Sequence, residues 1–170
     1  MAPLPPRRLT DLPLPSYRHI PGETPHPTRS AEGHSYNPGG AQPDLPGLPD
    51  LPDLNRSAPL ACEEFLYGVD LFNGGYWWEC HEALEGLWRV AGRGSPAGHV
   101  LQAVIMCAVA HLKIIKGNTV GARRLFHNAE RHVFEAEKMD LGLDLIGMLA
   151  ETGAFVFQDS EKPAVLRLLD

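Results

Sequence analysis

Val100-Leu101-Gln102-Ala103-Val104-Ile105-Met106-Cys107-Ala108-Val109-Ala110-His111-Leu112-Lys113-Ile114-Ile115 is the stretch that decides the fold class. It is apolar nearly all round, as expected of a central helix packed by neighbours on several sides. Before it, Ser95-Pro96 reads as an N-cap followed by proline at the first helical position. After it, Gly117-Asn118-Thr119 closes the helix and caps the next. The pattern predicts a helix from about Pro96 to Lys116.

Outward from this helix the same periodicity recurs. Leu60, Phe65, Leu66, Val69 and Phe72 predict a helix from Pro59 to Phe72, stopped by Asn73-Gly74-Gly75. A second helix should run from Tyr76 to Ala91 and end at Gly92, with Arg89 in its last turn. A fourth is expected from Val120 to Lys138, with Leu125, Phe126, Ala129, Val133 and Ala136 facing inward. Two short helices follow, near Leu143–Glu151 and Pro163–Leu168. No stretch alternates convincingly, so the fold class is all-α. Short connections favour antiparallel neighbours, giving a small antiparallel bundle of four main helices plus short C-terminal ones.

Composition divides the chain of 170 residues into two unlike parts. Fourteen of the 16 prolines lie in the first 59 residues, which carry five arginines and six acids. Such a segment has too little apolar surface to offset its ordering entropy. Residues 1–58 are therefore expected to be a disordered proline-rich tail, and 59–170 the helical domain. Another reading is that translation starts further downstream. Pro43, Pro46, Pro49 and Pro52 recur every third residue, with Leu45, Leu48, Leu51 and Leu54 in step. Polyproline II would place them on separate edges, as a spacer or as a ligand for a groove.

Charge and cysteines narrow the function classes. The net charge of −6 argues against a dedicated nucleic-acid binder. No stretch approaches about 18 apolar residues, so no membrane span is expected. Arg7-Arg8 is not followed by an apolar run of signal length, so export is not expected either. Cys62, Cys80 and Cys107 are odd in number and widely spaced. They read as three buried thiols in a reducing cytoplasm.

The chemistry is concentrated in Tyr76-Trp77-Trp78-Glu79-Cys80-His81-Glu82-Ala83-Leu84-Glu85-Gly86-Leu87-Trp88. His81 and Glu85 are four residues apart, Trp78 lies three before and Trp88 three after, so all four project from one helix face. Glu79 and Glu82 sit to its sides. Three readings compete. His81 and Glu85 are a buried hydrogen-bonded pair that fixes packing. They are two ligands of a divalent metal, completed from His99, His111, His127 or His132. Or Glu85 orients His81 as a general base in a pocket walled by Trp78 and Trp88.

On the third helix Gln102 and Lys113 share a face, and Gln102 is the natural amide partner for the His81–Glu85 pair. His111 points the opposite way. Gly117, Asn118, Gly121 and Ala122 form a corner of small residues, suited to close packing with a cap or to an anion at a helix N-terminus. Lys113, Lys116, Arg123, Arg124, His127, Arg131 and His132 make this quarter locally basic.

His81, Glu85 and Trp88 fit the pattern H-x-x-x-E-x-x-W. Leu101, Gln102 and Ile105, then Gly117, Asn118, Gly121 and Ala122, fit L-Q-x-x-I followed by G-N-x-x-G-A. Together these blocks, between Glu63 and Glu137, resemble an uncharacterised prokaryotic family, domain of unknown function 309. The chain departs from it at Ala103, where the family tends to have glycine. The resemblance implies a small all-α bundle and supplies no reaction. It groups His81, Glu85, Trp88, Gln102 and Asn118 as one cluster.

The functional expectation is a cytoplasmic module whose polar pocket, formed by Trp78, His81, Glu85, Trp88, Gln102 and Asn118, binds a small molecule or a protein. The alternatives are a metal-dependent or acid–base hydrolase using His81 and Glu85, and a structural domain, possible as a homo-oligomer, in which the cluster only packs.

Overall fold

The computed structural model describes residues 7–39, 51–158 and 160–169. Its helices are α1 (Glu63–Asn73), α2 (Trp77–Ala91), α3 (Pro96–Ile115), α4 (Thr119–Glu135) and α5 (Leu145–Phe157). Each packs on the next, and α5 returns to α3. The central helix is the one its composition demanded. Ser95 Oγ accepts the Gly98 amide at 3.0 Å and opens α3, and Gly117 ends it with φ +71°. Val100, Leu101, Ala103, Val104, Cys107 and Ala108 are all at most 1% exposed. Contrary to the expectation from run length, α3 is long and apolar enough to cross a membrane. The bundle also accounts for that composition, because 61% of its apolar window is buried among other elements.

Two close approaches fix the corner geometry. A Cβ on Gly68 of α1 would lie 2.3 Å from Leu84 Cδ2 of α2, so a larger residue there would push the buried Leu84 side chain aside. A Cβ on Gly98 would lie 2.0 Å from the Gly92 carbonyl oxygen, which holds the α2–α3 turn against the first turn of α3. Asn55 clamps the same corner. Its Oδ1 accepts from Ala97 N at 3.0 Å, and its Nδ2 donates to the Ala91 carbonyl at 3.0 Å. Leu54 beside it is 2% exposed, so the packing starts ahead of residue 59. Cys62, Cys80 and Cys107 are buried free thiols, and burial pushes Cys107 up to about 12.

The C-terminal region differs from expectation. The helix expected to end at Glu151 continues to Phe157, because Met148, Thr152, Phe155 and Val156 keep its buried face helical. No helix forms over Pro163–Leu168. That segment is extended, burying Ala164 and Leu166, and Leu168 makes an antiparallel bridge to Leu143. Its amides are taken by side chains instead of a helix ladder. Ala164 N donates to His111 Nε2 at 3.3 Å, Val165 N to Glu151 Oε2 at 2.9 Å and Leu166 N to Asn73 Oδ1 at 2.7 Å.

Residues 7–39 contain no helix or strand, yet they lie across α1 and α2 as a strap. Two buried carboxylates hold it. Asp70 of α1 accepts from Leu9 N at 2.8 Å and from Thr10 N at 2.9 Å. Glu79 of α2 accepts from His19 N at 2.8 Å and from His34 Nε2 at 3.0 Å. The strap builds no core of its own, which is what its composition says. Polar anchors on the bundle contact it, and Leu14 and Ile20 pack against the core. Most of the proline–leucine repeat falls outside the described residues.

Candidate functional site

The buried stripe of α2 is Trp77, Cys80, Leu84, Leu87 and Ala91, spaced three and four apart. His81 stands about 100° from Cys80, so it falls at the margin of that stripe, half-buried. There it opens onto a cavity of about 510 Å³. The floor is Trp78, Val109, Leu112 and Pro21 of the strap. The polar wall is His81, Lys113, Lys116 and Asn118. The end of α3 supplies both lysines, and the N-cap of α4 supplies Asn118. Asn118 Oδ1 accepts the Gly121 amide at 2.8 Å, so its NH2 is the donor it can offer elsewhere. Lys116 Nζ pairs with Glu23 Oε1 of the strap at 2.7 Å.

His81 does not pair with Glu85. Its Nδ1 lies 3.1 Å from Glu82 Oε1, and Glu85 turns to Arg89 Nη2 at 2.7 Å. The hydrogen bond to Glu82 raises the His81 pKa and depresses that of Glu82. The imidazole is therefore protonated more readily than a solvated one. His81, Glu82 and Glu85 still offer three ligand atoms within 4.8 Å of one another.

Of the residues grouped by the sequence, Trp78, His81 and Asn118 line one cavity, and Glu85, Trp88 and Gln102 do not. Trp88 lies seven residues beyond His81 on α2, with Arg93 stacked over it at 5.7 Å. None of the side-chain hydrogen bonds among the described residues involves Gln102. His111 is a core residue, stacked on Trp77 at 5.1 Å and edge-on to Phe72 and Phe155. Burial lowers its pKa to about 3, so it is neutral.

Sequence reasoning missed Glu82 as the partner of His81, because adjacent helical residues diverge. It missed Pro21 and Glu23 because they lie in the stretch set aside as tail. Trp78 also lines a second cavity of about 200 Å³ under the strap, shared with Thr28, His34, Tyr67, Glu79 and Glu82. Within it Glu79 Oε2 is buried without a hydrogen-bond partner among the described residues.

Fold and cavity together define a small all-α bundle with a basic, part-apolar pocket at the junction of α2, α3 and α4. Residues 65–125 match the model of the family described as Domain of unknown function (DUF309), and over that stretch the chain is similar to it. The matched stretch holds every cavity residue except Pro21. No curated protein and no solved structure matches the chain.

Proposed function

We propose that this protein is a binding module for a small organic anion, a carboxylate or phosphate ester carrying an apolar or aromatic part. The observation that carries this reading is the convergence of Lys113, Lys116 and His81 on one cavity whose other wall includes Trp78. A volume of about 510 Å³ lies within the range of metabolite pockets, commonly about 300–1,000 Å³. Three cation-capable groups favour an anion, and the indole favours a flat apolar group beside it.

The hydrolase reading is less well supported. Its orienting carboxylate would have to be Glu82, since Glu85 is engaged by Arg89. Among the described residues, the cavity lining contains no serine, threonine or cysteine nucleophile.

Titration of the full chain with phenyl phosphate and benzoate, read by tryptophan fluorescence, tests the proposal. The cation benzamidine serves as the charge-reversed control. Saturable binding of either anion, no binding of benzamidine, and at least about a ten-fold loss in Lys113→Ala are expected, a loss of about 1.4 kcal/mol. Equal binding of benzamidine, or an unchanged dissociation constant in Lys113→Ala, overturns it.

A further inference from the structure

A second cluster lies where the start of α3 meets the end of α4. His99 comes from α3, and His132 and Glu135 come from α4, three residues apart and so on one face. His99 Nδ1 is 2.8 Å from His132 Nδ1. Glu135 Oε2 is 3.4 Å from the first nitrogen and 3.8 Å from the second. Three atoms with these separations lie on a circle of radius about 2.0 Å. Metal–nitrogen and metal–carboxylate bonds to zinc are about 2.0–2.2 Å. One ion at the centre would thus reach all three donors with no movement of the backbone.

We infer that His99, His132 and Glu135 form a binding site for a divalent transition-metal ion. Two imidazoles and one carboxylate are a donor set suited to Zn²⁺, Co²⁺ or Fe²⁺, and not to Mg²⁺ or Ca²⁺. An ion near the plane of the three donors keeps both faces open to water or another ligand. The two nitrogens lie within hydrogen-bond distance of each other, so one carries a proton that the other accepts. An ion at the centre of the three donors would take the place of that proton, drawing on a lone pair from each ring. The histidine side chains are 16% and 14% exposed and Glu135 41%, so the pair is held while the carboxylate remains reachable from solvent. Arg131 approaches the other oxygen, Glu135 Oε1, at 3.9 Å and does not occupy the donor atom.

The trio of His81, Glu82 and Glu85 is the weaker metal candidate. It has one imidazole, and Glu85 already binds Arg89 at 2.7 Å. His132 and Glu135 also lie beyond the stretch that matches the family model. The inference is therefore about this chain and is independent of the anion cavity.

Full-length protein prepared without an affinity metal is titrated with Co²⁺ and with Zn²⁺. Stoichiometry is read by calorimetry and the coordination sphere by the Co²⁺ visible spectrum. One equivalent is expected, with visible bands of low-coordinate Co²⁺. Glu135→Gln and His132→Gln should each weaken binding at least about ten-fold. Glu85→Gln should not change it. Glu135 is well exposed, so its substitution leaves the fold intact, and circular dichroism confirms this for both variants. Failure to bind one equivalent overturns the inference. So does unchanged affinity in Glu135→Gln and His132→Gln, or a loss in Glu85→Gln in their place.

Discussion

Keeping His111 inside a cage of Trp77, Phe72 and Phe155 has a measurable cost in acid. Its pKa is about 3 in the fold and 6.5 when solvated. Above pH 6.5 both states are neutral and this residue adds no pH dependence. Below 6.5 the unfolded chain takes up the proton first, so stability falls by about 1.4 kcal/mol per pH unit until the folded pKa is reached. His111→Gln keeps an acceptor for the Ala164 amide and removes the titration. Urea midpoints should therefore fall less steeply between pH 6.5 and 4 in the variant than in the parent chain. Equal slopes would mean that His111 is not held neutral. The sequence showed that His111 points away from Gln102 but offered it as a metal ligand, whereas it is a fully buried residue stacked on Trp77. For His81 the spacing placed the residue on one face with Trp78, Glu85 and Trp88, and the fold leaves it half-buried. The spacing did not show which carboxylate would reach the imidazole. That choice depends on Arg89 drawing Glu85 away, a side-chain competition that spacing does not encode.

Helices were legible because each carries its own period and punctuation. Ser95-Pro96, Gly117-Asn118 and Gly74-Gly75 stand where α3, α4 and the α1–α2 turn need them. The strap and the Pro163–Leu168 segment were not legible, because their order comes from side chains remote in sequence. Asp70 and Glu79 both anchor the strap, and their atoms predict different tolerance to amide substitution. Asp70 uses both oxygens, Oδ1 toward Leu9 N and Oδ2 toward Thr10 N and Thr10 Oγ1. An asparagine would have to turn an NH2 against a backbone donor. Glu79 accepts both of its bonds on Oε1, so a glutamine carbonyl can replace it. Asp70→Asn should release the strap at a cost of about 2 kcal/mol, roughly a 30-fold rise in opening. Glu79→Gln should change little. Rates of tryptic cleavage at the exposed Arg18 and Arg29 report the opening directly. Equal rates in the two variants would show that the carboxylate pairing does not hold the strap.

The two proposed sites sit at opposite ends of α3. Lys113 follows His99 by 14 residues, about 21 Å along the helix axis. That exceeds the Debye length of about 8 Å at physiological ionic strength, so an ion at His99 should not be felt electrostatically at the lysines. Coupling could then pass only through repacking of α3. The interior of this helix is close-packed, with Leu101, Val104 and Ala108 at most 1% exposed. The strap is a nearer modulator. Glu23 shares Lys116 with the cavity at 2.7 Å, so Glu23→Gln leaves that charge free for an anion. Benzoate titrations of the full chain, with and without one equivalent of Zn²⁺, should agree within about two-fold. The same titration in Glu23→Gln should show tighter binding than in the parent chain, and the gain should shrink as salt is raised. A ten-fold response to Zn²⁺, with none to Glu23→Gln, would make α3 a transmitting element and the strap a bystander.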